Sequence, residues 1–275
     1  MDLLETYIAV WRRCATDLLA LFTELDHADW DRRTDCPLWS VRDVVAHLAA
    51  LESELADADP AHLTRSAQRT AVLGDGREVT SSYTERGVLA RRGRRPAELV
   101  AEFEDAVHRR ERQLAADPPT DPTGRPPVAP GGIGWDWQTL LRNRPIDLWV
   151  HEQDIRRAVR RPGNLDSPGA RLATTVFGAA LPMVVAKRAS APPGSTTVVD
   201  VTGPVAATFT VGVGADRRGT ALDVPPTDPT TRLTMDTEAF TVLSTGRRDP
   251  DTLDVRVHGD AELAARVLRS MTVTA

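Results

Sequence analysis

Apolar side chains recur at helical spacing, three or four positions apart, through most of the first 190 residues. This spacing predicts an amphipathic helix over residues 3–25, with apolar positions at Leu4, Ile8, Trp11, Leu18, Phe22 and Leu25. The same pattern predicts further helices over Ser40–Ala56, Ser81–Arg92, Ala97–Ala115, Asp136–Arg160 and Pro168–Ala189. The first two thirds of the chain therefore indicate a helical domain.

Polar residues mark the start of two of these helices. Ser40 stands three residues before Asp43, a variant of the capping box in which two side chains bond to each other's backbone N–H. Asp136 has the residue type preferred at an N-cap. Pro145 predicts either a kink in the helix that follows or a second start, with the proline in its first turn. A second start would place Asp147 near a helix N-terminus, where an anion is favoured.

The pattern changes after residue 190. Residues 191–195, APPGS, have the composition of a linker. Alternating β-rich segments follow, with strands predicted at Thr196–Thr202, Ala206–Val213, Thr231–Met235 and Leu253–Val257, and helices at Glu238–Thr245 and Asp260–Met271. Helices first and mixed strands later predict a helical domain over residues 1–190 and a small α+β domain over residues 196–275.

Two segments carry no regular pattern. Residues 57–79 have no clear periodicity, and residues 117–134 contain six prolines and four glycines, which predicts a loop. A loop of that length in a compact domain often lies over a functional site.

Composition limits the class of partner. The formal charge of -5 and the pI of about 5.7 give no reason to expect nucleic acid as a partner. The N-terminus lacks the basic start of a signal peptide, and the longest apolar run, residues 176–186, is too short to span a bilayer. We therefore expect a cytoplasmic monomer or homodimer with no membrane partner. Lys187 is the only lysine among 34 basic residues, which is typical of GC-rich genomes such as those of actinobacteria.

The clearest candidate chemistry is an acid and a histidine four residues apart on one predicted helix. Asp147 and His151 point the same way, one turn apart, and can offer two ligands to a metal ion. His47, on a different helix, is the natural third ligand, because facing helices can bring side chains to one point. A set of two histidines and one carboxylate leaves a position open, as catalytic sites do. Zinc is the default ion, although iron(II), nickel and manganese suit the same set. The competing interpretation is that each histidine is an ordinary packing residue.

Other reactive side chains have weaker patterns. Asp154 shares the face of Asp147 and is a candidate ligand or hydrogen-bond partner, whereas Glu152 points elsewhere and is predicted to be solvated. Cys36 is either a reactive thiol or a packing residue, and packing is favoured because nothing around it indicates an activated thiol. The cysteines are too few for a disulfide scaffold. The remaining histidines lack a carboxylate at ligand spacing and are expected to be ordinary: His27, His62, His108 and His258.

Two motifs carry a resemblance to a known family. Residues 36–48, CPLWSVRDVVAHL, closely resemble the signature of mycothiol-dependent maleylpyruvate isomerase-like proteins, and residues 147–157, DLWVHEQDIRR, resemble that family's second signature. The segments LTMD at 233–236, TGR at 245–247 and VHGD at 257–260 resemble the family's second domain. The resemblance implies an N-terminal DinB-like four-helix bundle with a divalent metal, usually zinc, followed by a small sterol carrier protein-like α+β domain.

The resemblance also implies roles for particular residues. It implies His47, Asp147 and His151 as metal ligands, with mycothiol as a thiol cosubstrate that adds, as thiolate, to an electrophilic small molecule. Arg247 is the catalytic-site candidate, as a cation for the acidic or sugar parts of the ligands. The chain departs from the family pattern at Leu38, where glycine is typical, and at Asp147, where glutamate is common.

The leading functional hypothesis is a metal-dependent transferase or isomerase that uses mycothiol. Two alternatives are also compatible with the sequence: a non-catalytic ligand-binding or regulatory protein with a sterol carrier-like domain, and a metal-dependent hydrolase in which water takes the open metal position.

Overall fold

The computed structural model describes residues 2–57, 71–72, 78–79 and 82–274, and it divides the chain into two compact units, Met1–Pro162 and Gly163–Ala275. The elements of the first unit are α1 (Leu3–Thr23), α2 (Val41–Asp57), β1 (Ala71–Val72), β2 (Glu78–Val79), α3 (Ser82–Leu89), α4 (Pro96–Ala116) and α5 (Trp137–Val159). The two short strands form an antiparallel pair. Most of residues 57–79, for which the sequence shows no periodicity, lies outside the described residues, as does His62.

The long helices pack through the apolar faces that their sequences predict. Helix α2 packs along α4, α1 packs along α5, and α2 also meets α5. Large side chains from all four are almost completely buried, among them Trp11, Leu48, Phe103 and Trp149. Burying such a side chain stabilises the fold by about 1.5–3 kcal/mol. Helix α5 is buried on most of its circumference, so polar side chains in its middle must find partners inside the protein.

Both predicted helix starts are confirmed. Ser40 and Asp43 bond reciprocally, with the Ser40 N–H donating to the Asp43 carboxylate at 3.0 Å and the Asp43 N–H donating to Ser40 Oγ at 3.3 Å. Asp136 caps α5 by accepting from the Thr139 N–H at 2.7 Å. Helix α5 is continuous through Pro145, so the predicted alternative of a second start there is wrong. Asp147 consequently lies about three turns inside the helix, away from its N-terminus.

The proline-rich segment before α5 is a loop, as predicted, and it is anchored at one end of the helices. Val128 packs with Leu55 and Leu140, and Trp135 and Trp137 lie against the same cluster. Leu55 lies eight residues after His47 in α2, and Leu140 lies seven residues before Asp147 in α5. Each separation is roughly 10–12 Å along the helix. The apolar anchor of this loop therefore lies at the helix ends.

The second unit combines helices with a sheet. Its elements are α6 (Pro168–Ala179), α7 (Leu181–Met183), a π-helical turn (Val184–Arg188), β3 (Thr196–Thr202), β4 (Ala207–Val213), β5 (Gly219–Ala221), β6 (Thr231–Asp236), α8 (Thr237–Ser244), β7 (Arg256–Gly259) and α9 (Ala261–Arg269). In this part of the chain the strands form one five-stranded sheet in the order β5-β4-β3-β6-β7. Strands β3 and β6 are parallel, and the other neighbouring pairs are antiparallel.

The two compact units divide earlier in the chain than the predicted domain boundary. Residues 163–190 were predicted to close the helical domain, but they belong to the second compact unit. The reason is the packing of α6 on the sheet: the ring of Phe209 in β4 lies directly against Gly178, and Phe209 stacks on Phe240 of α8 with ring centroids 5.7 Å apart. The supposed linker is a tight turn, in which the Ser195 N–H donates to the Pro192 carbonyl at 3.1 Å.

Two details of the sheet also differ from prediction. Strand β5 was not predicted, because it is only three residues long. The last strand begins at Arg256, later than the predicted Leu253, since Pro250–Thr252 forms a 3-10 turn capped by Asp249. Among the described residues, Pro168–Arg188 is long and apolar enough to cross a membrane. Just over half of its most apolar 18-residue stretch, 56%, is buried inside the protein, as in a core helix.

Candidate metal centre

The structure brings together the three side chains that the sequence proposes as ligands. One ligand atom from each of His47, Asp147 and His151 lies within 4.8 Å of the others. Nε2 of His47 is 3.6 Å from Oδ2 of Asp147, and Nε2 of His151 is 3.6 Å from Oδ1 of the same carboxylate. Both imidazoles are buried, whereas 30% of the Asp147 side chain is exposed. Solvent therefore reaches this cluster from the side of the carboxylate.

The donor set fits a divalent ion better than it fits a set of direct hydrogen bonds. A separation of 3.6 Å is too long for a hydrogen bond between these atoms. Ligands at about 2.0–2.1 Å from a tetrahedral zinc ion lie roughly 3.3 Å from one another, close to the spacing observed. Neither ring nitrogen of His47 has a hydrogen-bond partner among the described residues, although both are buried. A buried nitrogen without a partner costs about 1–3 kcal/mol, and an ion among these three side chains would give Nε2 of His47 a partner.

Asp147 is held as a carboxylate by a buried arginine. Burial alone would raise the pKa of Asp147, but the Arg144 guanidinium, which donates to Oδ2 at 2.9 Å, outweighs it and holds the pKa well below its usual range. Arg144 is itself fixed by Glu52, to which it donates at 2.8 and 3.1 Å. Glu52 also accepts from Arg110 at 2.9 Å and from the Trp11 indole at 3.3 Å. The acidic ligand candidate thus ends a buried hydrogen-bond network that joins side chains of α1, α2, α4 and α5.

His47 is neutral and packed against an aromatic ring. Its burial lowers the pKa of the imidazole, and the Asp147 carboxylate only partly opposes this effect. The Trp39 indole lies 4.8 Å from the His47 ring and 6.0 Å from the His151 ring, measured between centroids. Trp39 donates from Nε1 to Glu85 at 2.9 Å, which fixes the indole over the two imidazoles. A neutral imidazole is the form that binds a metal ion.

His151 has its second ring nitrogen bonded inside the protein. Nδ1 of His151 lies 3.0 Å from Oδ2 of Asp154, and the Cys36 thiol donates to the same oxygen at 3.2 Å. Arg157 donates to the other oxygen of Asp154 at 2.5 Å and to Asp35 at 2.8 Å. The Cys36 thiol is buried and makes this contact inside the protein, which supports packing and not reactivity. Cys36, His151 and Asp154 are also close enough to one another to bind a metal ion, but they already make hydrogen bonds with one another.

The segment before α2 positions two of these contacts. Residues 32–40 fold back on themselves through an isolated antiparallel bridge between Arg33 and Ser40. Oγ1 of Thr34 donates to the Trp39 carbonyl at 2.9 Å, and the Trp39 N–H donates to the Cys36 carbonyl at 3.0 Å. One short loop therefore places both the indole beside His47 and the thiol beside Asp154.

Sequence reasoning missed or misjudged several of these residues. Glu152 was predicted to be solvated, but it is fully buried and accepts from Arg156 at 2.7 Å, because α5 has almost no exposed face. Arg144, Glu52 and Trp39 were not predicted as neighbours of the site. Arg144 lies one turn before Asp147, and this i, i+3 spacing was the available signal.

Arg247 belongs to the second unit, where it is half-buried and donates from Nη1 to the Thr245 carbonyl at 3.1 Å. Of the other histidines, His27, His108 and His258 are exposed.

Comparison with known proteins covers nearly the whole chain. A family model described as the mycothiol maleylpyruvate isomerase N-terminal domain matches residues 11–156, and a second, described as the MDMPI C-terminal domain, matches residues 171–266. The chain belongs to the mycothiol maleylpyruvate isomerase family. This match confirms the resemblance seen in the motifs at residues 36–48 and 147–157. No curated protein matches significantly.

Two solved structures share the architecture of this family member. One is a crystal structure of the mycothiol-dependent maleylpyruvate isomerase, with a TM-score of 0.58 at 15% identity, covering 93% of each chain. The other is a histidine-to-alanine mutant of such an enzyme, with a TM-score of 0.54 at 14% identity and the same coverage. At these identities the likeness establishes the mixed helical and sheet fold.

Proposed function

We propose that this chain is a metal-dependent enzyme that activates mycothiol, or a similar small thiol, for addition to an electrophilic small molecule. Its ligands are His47, Asp147 and His151, and its ion is zinc. The observation that carries the proposal is the convergence of these three side chains at 3.6 Å spacing, with both nitrogens of His47 buried and without a hydrogen-bond partner in the described part of the chain. Membership of a family named for mycothiol and maleylpyruvate supports the choice of thiol and reaction.

The chemistry follows from the charges at the site. A divalent ion held there would lower the pKa of a bound thiol and so supply thiolate, the nucleophilic form, at neutral pH. Two neutral imidazoles and one carboxylate cancel only part of a 2+ charge, and Arg144 adds another positive charge beside Asp147. The centre therefore favours an anionic sulfur over a neutral one. The exposed edge of Asp147 marks the side from which small molecules enter.

The reaction proposed for the thiolate is addition to an activated double bond. In an isomerase the adduct rotates about the resulting single bond and then eliminates the thiol, which is returned unchanged. In a transferase the conjugate is released. The buried faces of His47 and His151 and the Trp39 indole exclude water from one side of the reacting group, which favours sulfur as the nucleophile.

The fold-level part of the proposal follows the same family. We infer that the first unit is a DinB-like four-helix bundle and the second a sterol carrier protein-like α+β domain. The pairwise packing of α1, α2, α4 and α5 and the mixed five-stranded sheet support this assignment. A cytoplasmic monomer or homodimer remains the expectation for the protein as a whole.

The test combines metal analysis with a thiol assay. Purified protein is expected to hold about one divalent ion per chain, and the His47→Ala and His151→Ala variants are expected to lose it. His108→Ala is the matched control, since His108 is an exposed histidine on α4 of the same unit. Full metal occupancy in the His47→Ala/His151→Ala double variant would show that the ligand assignment is wrong.

The reaction class is decided by the fate of the thiol. With mycothiol and a panel of electrophiles, a transferase consumes thiol, whereas an isomerase requires it without consuming it. Turnover without any thiol would identify a hydrolase instead. Copurification of an apolar ligand, with no thiol-dependent reaction, would favour the non-catalytic alternative.

Arg247 stays in the proposal as a cationic contact for the acidic or sugar part of a ligand. The variant Arg247→Gln is expected to raise KM for an anionic substrate without changing metal content. Arg248→Gln, the exposed neighbouring arginine, is the matched control. Equal KM values for both variants and the wild type would show that Arg247 does not contact the ligand.

A further inference from the structure

The Trp39 indole lies against both imidazoles of the proposed metal centre. Its ring centroid is 4.8 Å from that of His47 and 6.0 Å from that of His151, and the two imidazole centroids are 4.8 Å apart. Only 4% of the His47 side chain and 7% of the His151 side chain are exposed, compared with 30% of the Asp147 side chain. The indole therefore helps to bury the imidazole side of the cluster, whereas the carboxylate side stays open to solvent.

Main-chain hydrogen bonds fix where Trp39 lies but not how its ring is turned. The Trp39 N–H donates to the Cys36 carbonyl at 3.0 Å, and the Trp39 carbonyl accepts from the N–H of Thr34 at 3.1 Å and from its Oγ1 at 2.9 Å. The torsion between Cβ and the ring has a broad, roughly two-fold preference, so the backbone alone allows two orientations of the indole. The one polar group of the ring, Nε1–H, donates to Oε2 of Glu85 at 2.9 Å and selects one of them.

Glu85 is held in turn by contacts that lead back to the same loop. Its other oxygen, Oε1, accepts from Nη2 of Arg92 at 3.3 Å, and Nε of Arg92 donates to Oδ1 of Asp43 at 3.2 Å. Oδ2 of Asp43 accepts at 3.0 Å from the N–H of Ser40, the residue after Trp39. These contacts form a closed ring that joins α3, the segment after it and the N-terminus of α2, so the Glu85 carboxylate has a defined place beside the indole.

We propose that Glu85 is a positioning residue of the metal centre that acts through Trp39. Its carboxylate keeps the indole turned over the two imidazoles, and the covered side slows the escape of a bound ion, so that exchange takes place on the side of Asp147. The apolar shell around a metal site controls the access of solvent to it in this way. This rests on the proposed function, in which His47 and His151 are ligands, and in this role Glu85 contacts neither the ion nor the substrate.

The first test is the rate at which zinc leaves the loaded protein, measured with an excess of a chromophoric chelator. Glu85→Leu removes the acceptor of the indole N–H and is expected to release zinc about tenfold faster than the wild type. Glu85→Gln keeps an acceptor oxygen and is expected to restore slow release. The matched control is Glu111→Leu, since Glu111 lies on α4 of the same unit, pairs with Arg12, and has a side chain that is 35% exposed, compared with 32% for Glu85. This control is expected to release zinc at the wild-type rate.

A double variant shows whether Glu85 acts through the indole. Phenylalanine has no N–H, so Trp39→Phe breaks the same hydrogen bond and is expected to release zinc faster than the wild type. Adding Glu85→Leu to Trp39→Phe is then expected to give no further acceleration. Equal acceleration by Glu85→Leu in both backgrounds would show that Glu85 acts through Arg92 and the fold, and would overturn the role proposed.

The metal-free protein gives a readout that does not depend on zinc. Nitrogen-15 NMR resolves the indole N–H groups, and the signal of Trp39 is assigned by its loss in Trp39→Phe. In the wild type this N–H is expected to be protected from exchange with deuterium, and Glu85→Leu is expected to remove that protection. The indole N–H groups of Trp11 and Trp149, which lie in the core, are expected to keep theirs and so report on general damage to the fold.

The outcomes distinguish this inference from the proposed function. A wild type that binds no divalent ion overturns the proposed function and, with it, this role of Glu85. A wild type that binds zinc, together with a folded Glu85→Leu that releases it at the wild-type rate, overturns the role of Glu85 alone. A Trp39 indole N–H that exchanges freely in the metal-free wild type also overturns it, and this measurement decides the matter even where Glu85→Leu does not fold.

Discussion

Glu52 and Arg144 form a buried ion pair in which two guanidinium nitrogens donate to one carboxylate oxygen, although the residues are 92 positions apart in the chain. Neither side chain is more than 3% exposed. Breaking such a pair leaves a charge in the interior without its partner, which typically costs about 3–5 kcal/mol.

Arg144→Gln is therefore expected to lower the free energy of unfolding by about 3–5 kcal/mol, measured by urea denaturation of the metal-free protein. Arg142→Gln, a half-buried arginine two residues earlier, is the control and is expected to change stability by less than about 0.5 kcal/mol. Equal effects of the two substitutions would contradict the importance of the ion pair.

The Glu52 carboxylate predicts how the free energy of unfolding depends on pH. Burial alone would raise the pKa of Glu52, but Arg144 and Arg110 together hold it below its ordinary value of 4.5. A lowered pKa in the folded state means that the stabilisation is complete above about pH 4.5 and is lost as the pH falls further. The free energy of unfolding of the wild type should therefore decrease on acidification below pH 4.5.

Glu52→Gln isolates this contribution. The variant is expected to be less stable than the wild type at pH 7, and the gap between them should narrow as the pH falls from about 5 towards 3. Glu104→Gln, at an exposed position of α4, should show no such gap. A gap between the wild type and Glu52→Gln that is constant over this range would contradict the assignment to Glu52.

Trp39 offers an optical probe of the centre. Its indole lies 4.8 Å from the His47 ring, close enough for a bound open-shell ion such as cobalt(II) to quench its fluorescence. Trp39→Phe is expected to lose more of the cobalt-dependent quenching than Trp137→Phe, because Trp137 packs against the cluster at the ends of the helices. If both variants retain the same quenching, the ion binds elsewhere.

In the second unit, Gly178 has no room for a side chain. A Cβ atom at this position would clash with three carbon atoms of the Phe209 ring, which is itself stacked on Phe240. Gly178→Ala is expected to destabilise the second unit by about 1–3 kcal/mol, measured by thermal or urea unfolding. Gly134→Ala, where a Cβ would meet nothing within 4 Å, is the control. An equally small effect at both positions would contradict the close packing of α6 on the sheet.

Features of this protein that depend on nearby residues follow from its sequence, and those that depend on distant residues do not. Helix boundaries, the caps at Ser40 and Asp136 and the placement of Asp147 and His151 on one face follow from spacing within a few residues. His47 was predicted as the third ligand because side chains on helices that face each other can converge. These predictions needed no knowledge of which side chains meet across the core.

The features that were missed depend on contacts between distant residues. The pairing of Glu52 with Arg144 has no periodic signature, and the burial of Glu152 depends on α5 being enclosed on nearly all sides. The place of residues 163–190 in the second compact unit depends on contacts of the same kind. The sequence pattern of an apolar helix before a proline-rich turn is the same whether the helix packs on the preceding helices or on the following sheet.

The placement of the proposed ligands on two helices has a consequence for folding. His47 comes from α2, whereas Asp147 and His151 come from α5, about one hundred residues later in the chain. An ion shared by them would join two distant segments as a removable cross-link, and binding would stabilise the native state by RT ln(1 + [L]/Kd). Metal supply to the cell would then set not only how much of this protein is active but how long it survives unfolding and proteolysis.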